Sequence, residues 1–592
     1  MKTYFKDGKT VCDAQAYENV MYDVANNGIS VRFDGKGCVT RYSVLNEGTH
    51  ELAGAALKIF IDGRELPFDA EKTVEMYGRI QTVSYTSDVA EIKIKSFLHR
   101  DRPCAFTRIS LKSRGAVRVK IAFYMRGAAD CALTAADGFT GDYSNGFRFA
   151  SDRRFSCLPD NESVVFDETE TVGQAEYRIA YAFSDKPASG LLKDFDLYES
   201  ECDREFLDVD IPVSAATEEQ KAQYCSAFFC ALENFKEIGD FRAFTAGCRY
   251  VSPVRTYYRD SYFTVLAMYN GHTDKVRDQI AALSRGIGDD GSCPSAVLCD
   301  FSSWWSDHYD SPSFYCMMVY DYVNNTGDLS LLDEKWGGTT VCEKAEKVVN
   351  KLSRTCDGSG LSVKCGRFNR RDWADEVNRY GYVAYDEILY ARALFCLHKL
   401  LAAKGCPRAE NYLAEYGRVC KAINEILWDD AAGYYVNYKN DDFTESNLSI
   451  DTVLAAVFGI APEERAVRML RRARQLLESR NSMPVDFGVM CVYPPYSRID
   501  AAVNKSSRPF DYHNGADWPY WSAMYAYALK MYGMDWSYPL TRWFKYNTER
   551  GSFTPVEYFS PYCATGSTLQ AWSSAAAFVY YDADCSFFKN KL

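Results

Sequence analysis

The feature that most constrains this chain is a change of hydrophobic period near residue 217. Up to about residue 190, apolar and polar side chains alternate. The runs Glu91-Ile-Lys-Ile-Lys-Ser-Phe97 and Val117-Arg-Val-Lys-Ile-Ala-Phe123 put apolar groups on one strand face and charges on the other. Turn signals such as Asn27-Gly28 and Asp62-Gly63 separate such runs. This pattern predicts an antiparallel β-sandwich over residues 1–190, then a polar, irregular link over 191–216. At Thr217 the period becomes helical, announced by a capping box in which Thr217 caps and Gln220 reaches back. Twelve helical stretches follow in 217–592, near 217–238, 256–270, 274–286, 312–325, 328–354, 381–404, 408–428, 447–459, 463–479, 516–533, 536–548 and 567–581. Twelve helices make six hairpins, so the expected architecture is mixed: a sandwich followed by an all-α (α/α)6 toroid. A chain of 592 residues has room for both.

The links alternate in character. After the even-numbered helices they are brief and use breaker residues, as in Gly271-His-Thr273, Asn325-Thr-Gly-Asp328 and Gly405-Cys-Pro407. Ahead of the even-numbered helices they are mostly longer and rich in Trp, Tyr, Asp, Arg and Pro: 252–260, 304–312, 370–378, 510–519 and 555–561. In a double ring of outer and inner helices, loops of one parity emerge on one rim, so the acidic and aromatic loops should converge on one mouth. The segment Ile388–Leu397 is apolar around most of its circumference, as an inner helix should be.

Composition narrows the chemistry. A net charge of -12 argues against nucleic acid or an anionic membrane as partner. The opening residues hold no apolar signal core, and no run approaches the roughly 18 apolar residues of a membrane span, so a cytoplasmic location is expected. The 21 cysteines are scattered, without CxxC pairs, and read as reduced, buried small hydrophobes. With six histidines and no HExxH, P-loop or strand-anchored GxGxxG, neither a metal nor another cofactor is expected. A small carbohydrate fits an aromatic content of 15%, because flat rings stack on the apolar faces of sugars.

Glycoside hydrolysis needs two carboxyl groups flanking the scissile bond. The rim loops offer Asp260, Asp307, Asp310, Asp372, Asp375, Glu376, Asp517 and Glu557, and spacing leaves the pair open. Each of them alone reads better as a helix cap or an arginine partner, and it is their concentration on alternate loops that favours a functional role. Trp304, Trp305, Tyr309, Trp373, Trp518, Trp521 and Trp572 are candidates for the walls of a sugar pocket, although Trp521 and Trp572, at helix starts, fit a core equally well.

Four motifs in order carry a resemblance. They are Arg259-Asp260-Ser-Tyr-Phe263, Arg370-Arg-Asp-Trp-Ala-Asp375, Tyr512-His-Asn-Gly-Ala-Asp-Trp-Pro519, and Glu557-Tyr-Phe-Ser-Pro-Tyr-Cys-Ala-Thr-Gly566 with Gln570-Ala-Trp-Ser573. Over most of its length the chain resembles the (α/α)6 glycosidases that include bacterial amylo-α-1,6-glucosidases of the glycogen-debranching type, processing-α-glucosidase-like enzymes and, more distantly, cellobiose-type phosphorylases. The resemblance implies that Arg259 and Asp260 grip the terminal sugar, that Asp375 is the general acid and that Glu557 is the general base. It also implies a substrate site drawing on Trp304, Trp305, Asp307, Tyr309, Asp310, Trp373, Glu376, His513, Trp518 and Trp572. Asp372 and Glu376 flank Asp375 closely enough to compete for its role.

Arg371 stands where the phosphorylases often have Gly, and no phosphate-binding His stands near Thr565–Trp572, which favours water as nucleophile. The expected activity is that of an inverting exo-glycoside hydrolase on a small oligosaccharide or glycoside, by resemblance an α-glucoside. The alternatives are an α-L-rhamnosidase or disaccharide phosphorylase on the same scaffold, a sugar 2-epimerase using His308 and His513, and a carbohydrate-binding protein without catalysis.

Overall fold

Alternation builds strands where the sequence places it. In the computed structural model, Ala90–Leu98 pairs antiparallel with Cys104–Ser113, Ile92 facing Leu111 and Ile94 facing Ile109, all four buried while Glu91 and Lys93 face outward. The structure describes residues 2–13, 19–52, 55–66, 71–125, 133–143, 146–158, 163–166, 169–183, 189–365, 371–498, 500–562 and 566–592. Within these the chain divides into two compact units: 1–236 with 247–253 and 547–555, and 237–246 with 254–546 and 556–592.

The first unit is rich in antiparallel sheet. Its main sheets have ten, six and four strands and share one core that includes Val31, Phe33, Val83, Ile94, Val119 and Phe123. The distant segment 547–555 joins this unit through the backbone: Met21 N–H donates to the Gly551 carbonyl at 2.7 Å and Phe553 N–H to the Met21 carbonyl at 3.0 Å.

Within the stretch read as a link at 191–216, Phe195–Leu207 forms helix α1. Its buried Phe195, Tyr198, Cys202 and Phe206 recur every three or four residues, a stripe diluted in sequence by five acidic residues between Asp194 and Asp208. Helix α2, Glu218–Asn234, starts at the expected capping box, with Thr217 accepting from Gln220 N–H. This first of the twelve expected stretches packs within the sheet-rich unit, where Phe229 lies against Gly78 and stacks at 6.1 Å on Phe206.

The second unit is helical: α3 Tyr258–Leu266, α4 Thr273–Arg285, α5 Ser311–Thr326, α6 Val341–Ser353, α7 Ala384–Ala403, α8 Ala409–Ala422, α9 Leu454–Val457, α10 Glu463–Leu476, α11 Ser479–Ser482, α12 Pro519–Met531, α13 Ser537–Glu549, whose last turn falls in the first unit, and α14 Ala575–Tyr581. Two kinds alternate. Helices α3, α5, α7, α9, α12 and α14 are buried along nearly their whole length, whereas α4, α6, α8 and α10 bury one stripe. The segments that lead into the buried set, and the first turn of α3, carry the sequence-predicted site residues. Among the described residues no helix is long and apolar enough to cross a membrane. Most described cysteines are buried and all are free thiols.

Candidate active site

Every proposed site residue belongs to the helical unit. Arg259 and Asp260 sit in the first turn of α3, Asp260 buried and the Arg259 side chain only 11% exposed. Arg259 donates to Asp310 Oδ2 at 3.0 Å and pairs with Asp260 Oδ2 at 3.6 Å. Asp310, just ahead of α5, also accepts from the Tyr385 hydroxyl of α7 at 3.2 Å. Against the effect of burial, Arg259 and His308 hold the Asp310 carboxyl below its ordinary range. Asp260 is pushed the other way, to about 6, by burial and the charge of Glu557. Of the buried polar atoms here, Arg259 Nε and Trp572 Nε1 have no hydrogen-bond partner, while Asp260 Oδ2 and Asp310 Oδ1 meet only longer ion-pair contacts, with Arg259 at 3.6 Å and His308 at 3.5 Å. Such a set of donors and acceptors is costly unless a polar ligand meets it.

The segment 371–379 separates three adjacent carboxylates by their partners. Asp372 is buried against Lys364 and accepts from Arg379 at 2.8 Å and from Ala374 N–H at 2.8 Å. Although burial opposes it, Arg379 and Lys364 hold the Asp372 carboxyl far below the ordinary range, so it stays ionised and cannot donate a proton. Glu376 accepts from Ser506 N–H at 3.0 Å and from its hydroxyl at 3.1 Å. Asp375 alone remains open, its side chain 42% exposed. Its carboxyl is reachable by solvent yet crowded by protein. Burial, then the charges of Glu376, Asp372 and Glu557, push it up to about 7 against the opposing Arg259.

Asp372 ties this segment down. Lys364 reaches on to Asp386 at 3.4 Å, and Arg379 to Asp451 at 2.8 Å, which also accepts from the Trp373 indole at 2.7 Å. Asp372→Asn is expected to lower stability by about 3 kcal/mol, because it removes from each of two buried cations one of the two carboxylates it meets. A denaturant midpoint unchanged from wild type would contradict this.

Glu557 precedes α14 and is buried. Its Oε1 accepts from the Tyr512 hydroxyl at 3.2 Å and its Oε2 from Ser567 N–H at 2.9 Å. Gly566 makes room for it, since a Cβ there would lie 2.1 Å from Oε2. Glu557 acts electrostatically on both Asp260 and Asp375, so the three carboxyls share one neighbourhood. Asp517, the remaining acidic candidate of that half, is fully buried and accepts from Ser522 at 2.7 Å and Val489 N–H at 2.9 Å.

The aromatic candidates divide. Trp373, Trp518, Trp521 and Trp572 are buried in one cluster with His513 and Tyr520; Trp518 stacks on His513 at 4.9 Å and Trp572 on Tyr520 at 4.6 Å. Trp304 is half-buried and Trp305 exposed. Asp307 pairs with Lys351 at 3.0 Å, so its charge is engaged at the surface. Tyr309 is half-buried, its ring 5.4 Å from the Lys364 ammonium. Burial depresses the pKa of His513 well below its ordinary value, and its Nδ1 accepts Glu376 N–H at 3.4 Å with Asp375 Oδ1 3.8 Å away. Arg370 and the residues Cys563, Ala564 and Thr565 of the last motif lie outside the described residues.

Sequence reading missed Tyr512, Lys364 and Arg379 as partners of the carboxylates. Tyr512 lies inside a quoted motif and is detectable there; Lys364, alone in an irregular stretch, offers no signal.

Comparisons with known proteins follow the same lines. Residues 388–549 match the family model described as Trehalase. No curated protein sequence matches the chain. A bacterial glucoamylase solved in complex with acarbose superposes with a TM-score of 0.62 at 11% identity, over 99% of this chain and 97% of that one. A putative kojibiose phosphorylase from the human microbiome (TM-score 0.48, 9% identity, 98% and 89% covered) and a rhamnosidase from Klebsiella oxytoca with rhamnose bound (TM-score 0.46, 14% identity, 96% and 98% covered) are more remote. The glucoamylase likeness establishes the fold, a sheet-rich N-terminal region followed by a helical domain, and with the family match it supports a glycoside hydrolase.

Proposed function

We propose that the chain is an inverting, exo-acting glycoside hydrolase in which Asp375 is the general acid, Glu557 the general base and an α-glucoside the substrate. The helical domain is then an (α/α)6 toroid, its fully buried helices forming the inner ring. One observation carries the reading: of the carboxyl groups on these loops, Asp375 alone is both held near a pKa of about 7 and open to solvent. A group with that pKa is still partly protonated at neutral pH, as donation to a leaving oxygen requires. Glu557, accepting two hydrogen bonds, is a fixed carboxylate suited to activating water. Arg259, Asp260 and Asp310 supply the unmet polar atoms that sugar hydroxyls satisfy.

The epimerase alternative finds less support, since His513 is neutral, accepts a backbone N–H at Nδ1 and is packed against Trp518. The test is proton NMR of the first product formed from an α-glucoside, before mutarotation. Initial β-glucose without added phosphate is the expected outcome, because a base acting through water needs carboxyls roughly 6.5–9.5 Å apart and inverts the centre. Initial α-glucose, or a sugar 1-phosphate formed only with phosphate, would overturn it.

A further inference from the structure

Ahead of the site lies a small antiparallel sheet made of Arg255–Tyr257, Pro294–Leu298 and Ser303–Asp307. Its last strand slips register: Trp304 faces Ala296 while Asp307 faces Pro294, so Trp305 and Ser306 together stand opposite Ser295. A bulge of this kind re-aims a side chain. Trp305 has φ +61 and is 58% exposed. A bulky residue in the left-handed region is a backbone outlier, and such outliers gather at ligand clamps.

The exposed indole is buttressed. Tyr257 lies edge-on to it at 6.4 Å, and Trp304 lies 6.2 Å away at a 30° tilt. Behind them Arg255 sits 5.0 Å over the Trp304 ring and donates Nε–H to the Tyr257 hydroxyl at 2.7 Å. A ring fixed in this way presents one flat face at little entropic cost.

Both ends of this sheet run into the proposed site. Tyr257 leads directly to Arg259 and Asp260, whose charges act on its hydroxyl. At the other end the Asp307 carbonyl accepts from Arg371 at 2.9 Å, and Tyr309 N–H donates to the Arg371 carbonyl at 3.0 Å, on the segment that carries Asp375. The rim that holds Trp305 therefore borders both the sugar-gripping cluster and the proposed acid. Asp260 and Asp310 are buried, whereas Asp375 is open to solvent, so a protonated leaving group has a way out past Asp375 and not past the sugar-gripping cluster.

We infer that Trp305 is a stacking platform for the leaving group, so that the preferred substrates are glycosides whose leaving group is itself a pyranose ring, such as α-linked glucose disaccharides. This rests on the glycoside-hydrolase reading. The platform acts by binding and supplies no proton, so its removal should be felt only where a ring leaves.

The test compares wild type, Trp305→Ala and Trp305→Phe on α-linked glucose disaccharides and on α-glucosyl fluoride, whose leaving group has no ring. In Trp305→Ala, kcat/KM for a disaccharide should fall at least about tenfold more than for the fluoride, mainly through KM, and Trp305→Phe should restore most of it. Equal losses on both substrates, or none, would overturn the inference. A second arm uses calorimetry in an Asp375→Asn background. There a disaccharide should bind at least about tenfold more tightly than methyl α-glucoside, and adding Trp305→Ala should abolish the preference. Equal binding of the two ligands removes the platform even if hydrolysis stands. A preference lost with Trp305, in a wild-type protein that hydrolyses none of these sugars, retains the platform and refutes the hydrolase reading.

Discussion

Asp375→Asn is expected to lower kcat on an α-glucoside with an alkoxide leaving group by at least ~10²-fold, within the range for losing a general acid. The size of the effect should depend on the leaving group. Fluoride departs without a proton, so α-glucosyl fluoride should lose far less, and this selectivity distinguishes loss of an acid from a general distortion of the site. The same assignment sets the pH dependence. The proton must be present for catalysis, and burial with the charges of Glu376, Asp372 and Glu557 holds the Asp375 pKa at about 7. Activity of wild type should therefore fall as pH rises through about 7, and that alkaline limb should be missing from the residual activity of Asp375→Asn. Near-normal turnover of the variant would remove Asp375 from the mechanism. Retention of the alkaline limb would point to another raised carboxyl, foremost Asp260, which is held at about 6 and, like Asp375, lies in the field of Glu557.

Glu557→Gln is expected to cost at least ~10²-fold on both kinds of substrate, since water must attack whichever group leaves. The amide preserves the shape of the side chain and can still accept from the Tyr512 hydroxyl or from Ser567 N–H, so the fold should survive. Circular dichroism and an unchanged denaturant midpoint would confirm that. The contrast between the two variants is the decisive measurement: rescue by fluoride in Asp375→Asn and none in Glu557→Gln. Rescue in both, or in neither, would reject the division of labour.

Much of the architecture was legible because it is local. The two hydrophobic periods separate a strand-rich region from a helical one, and all twelve expected stretches contain helix in the structure. Helix α1 escaped notice because its four buried residues are spaced among Asp and Glu. The helix at 218–234 was read correctly as a helix, but which unit it packs with depends on Gly8 and Gly78, whose missing side chains admit Cys225 and Phe229. Nothing within the helix itself records those contacts. The aromatic candidates show the same limit: sequence placed Trp304, Trp305, Tyr309, Trp373 and Trp518 on the rim loops and left Trp521 and Trp572, at helix starts, between pocket and core, and only packing decided that Trp373, Trp518, Trp521 and Trp572 are covered while Trp305 is exposed.

By itself the sequence determined the order of elements, the alternation of short turns with acidic, aromatic loops, and a field of eight carboxylates, because period, turn chemistry and composition are properties of neighbouring residues. The tertiary structure alone decided which of those carboxylates are engaged by neighbouring groups. Asp372 is neutralised by Lys364 and Arg379, Glu376 is held by Ser506, Asp307 by Lys351, and Asp517 by Ser522 and Val489. Asp375 is left open beside Glu557's charge. The reason is that desolvation and Coulomb interaction act through space over a few ångströms, and the groups that exert them on one carboxyl come from segments as much as about three hundred residues apart, as Glu557 does on Asp260.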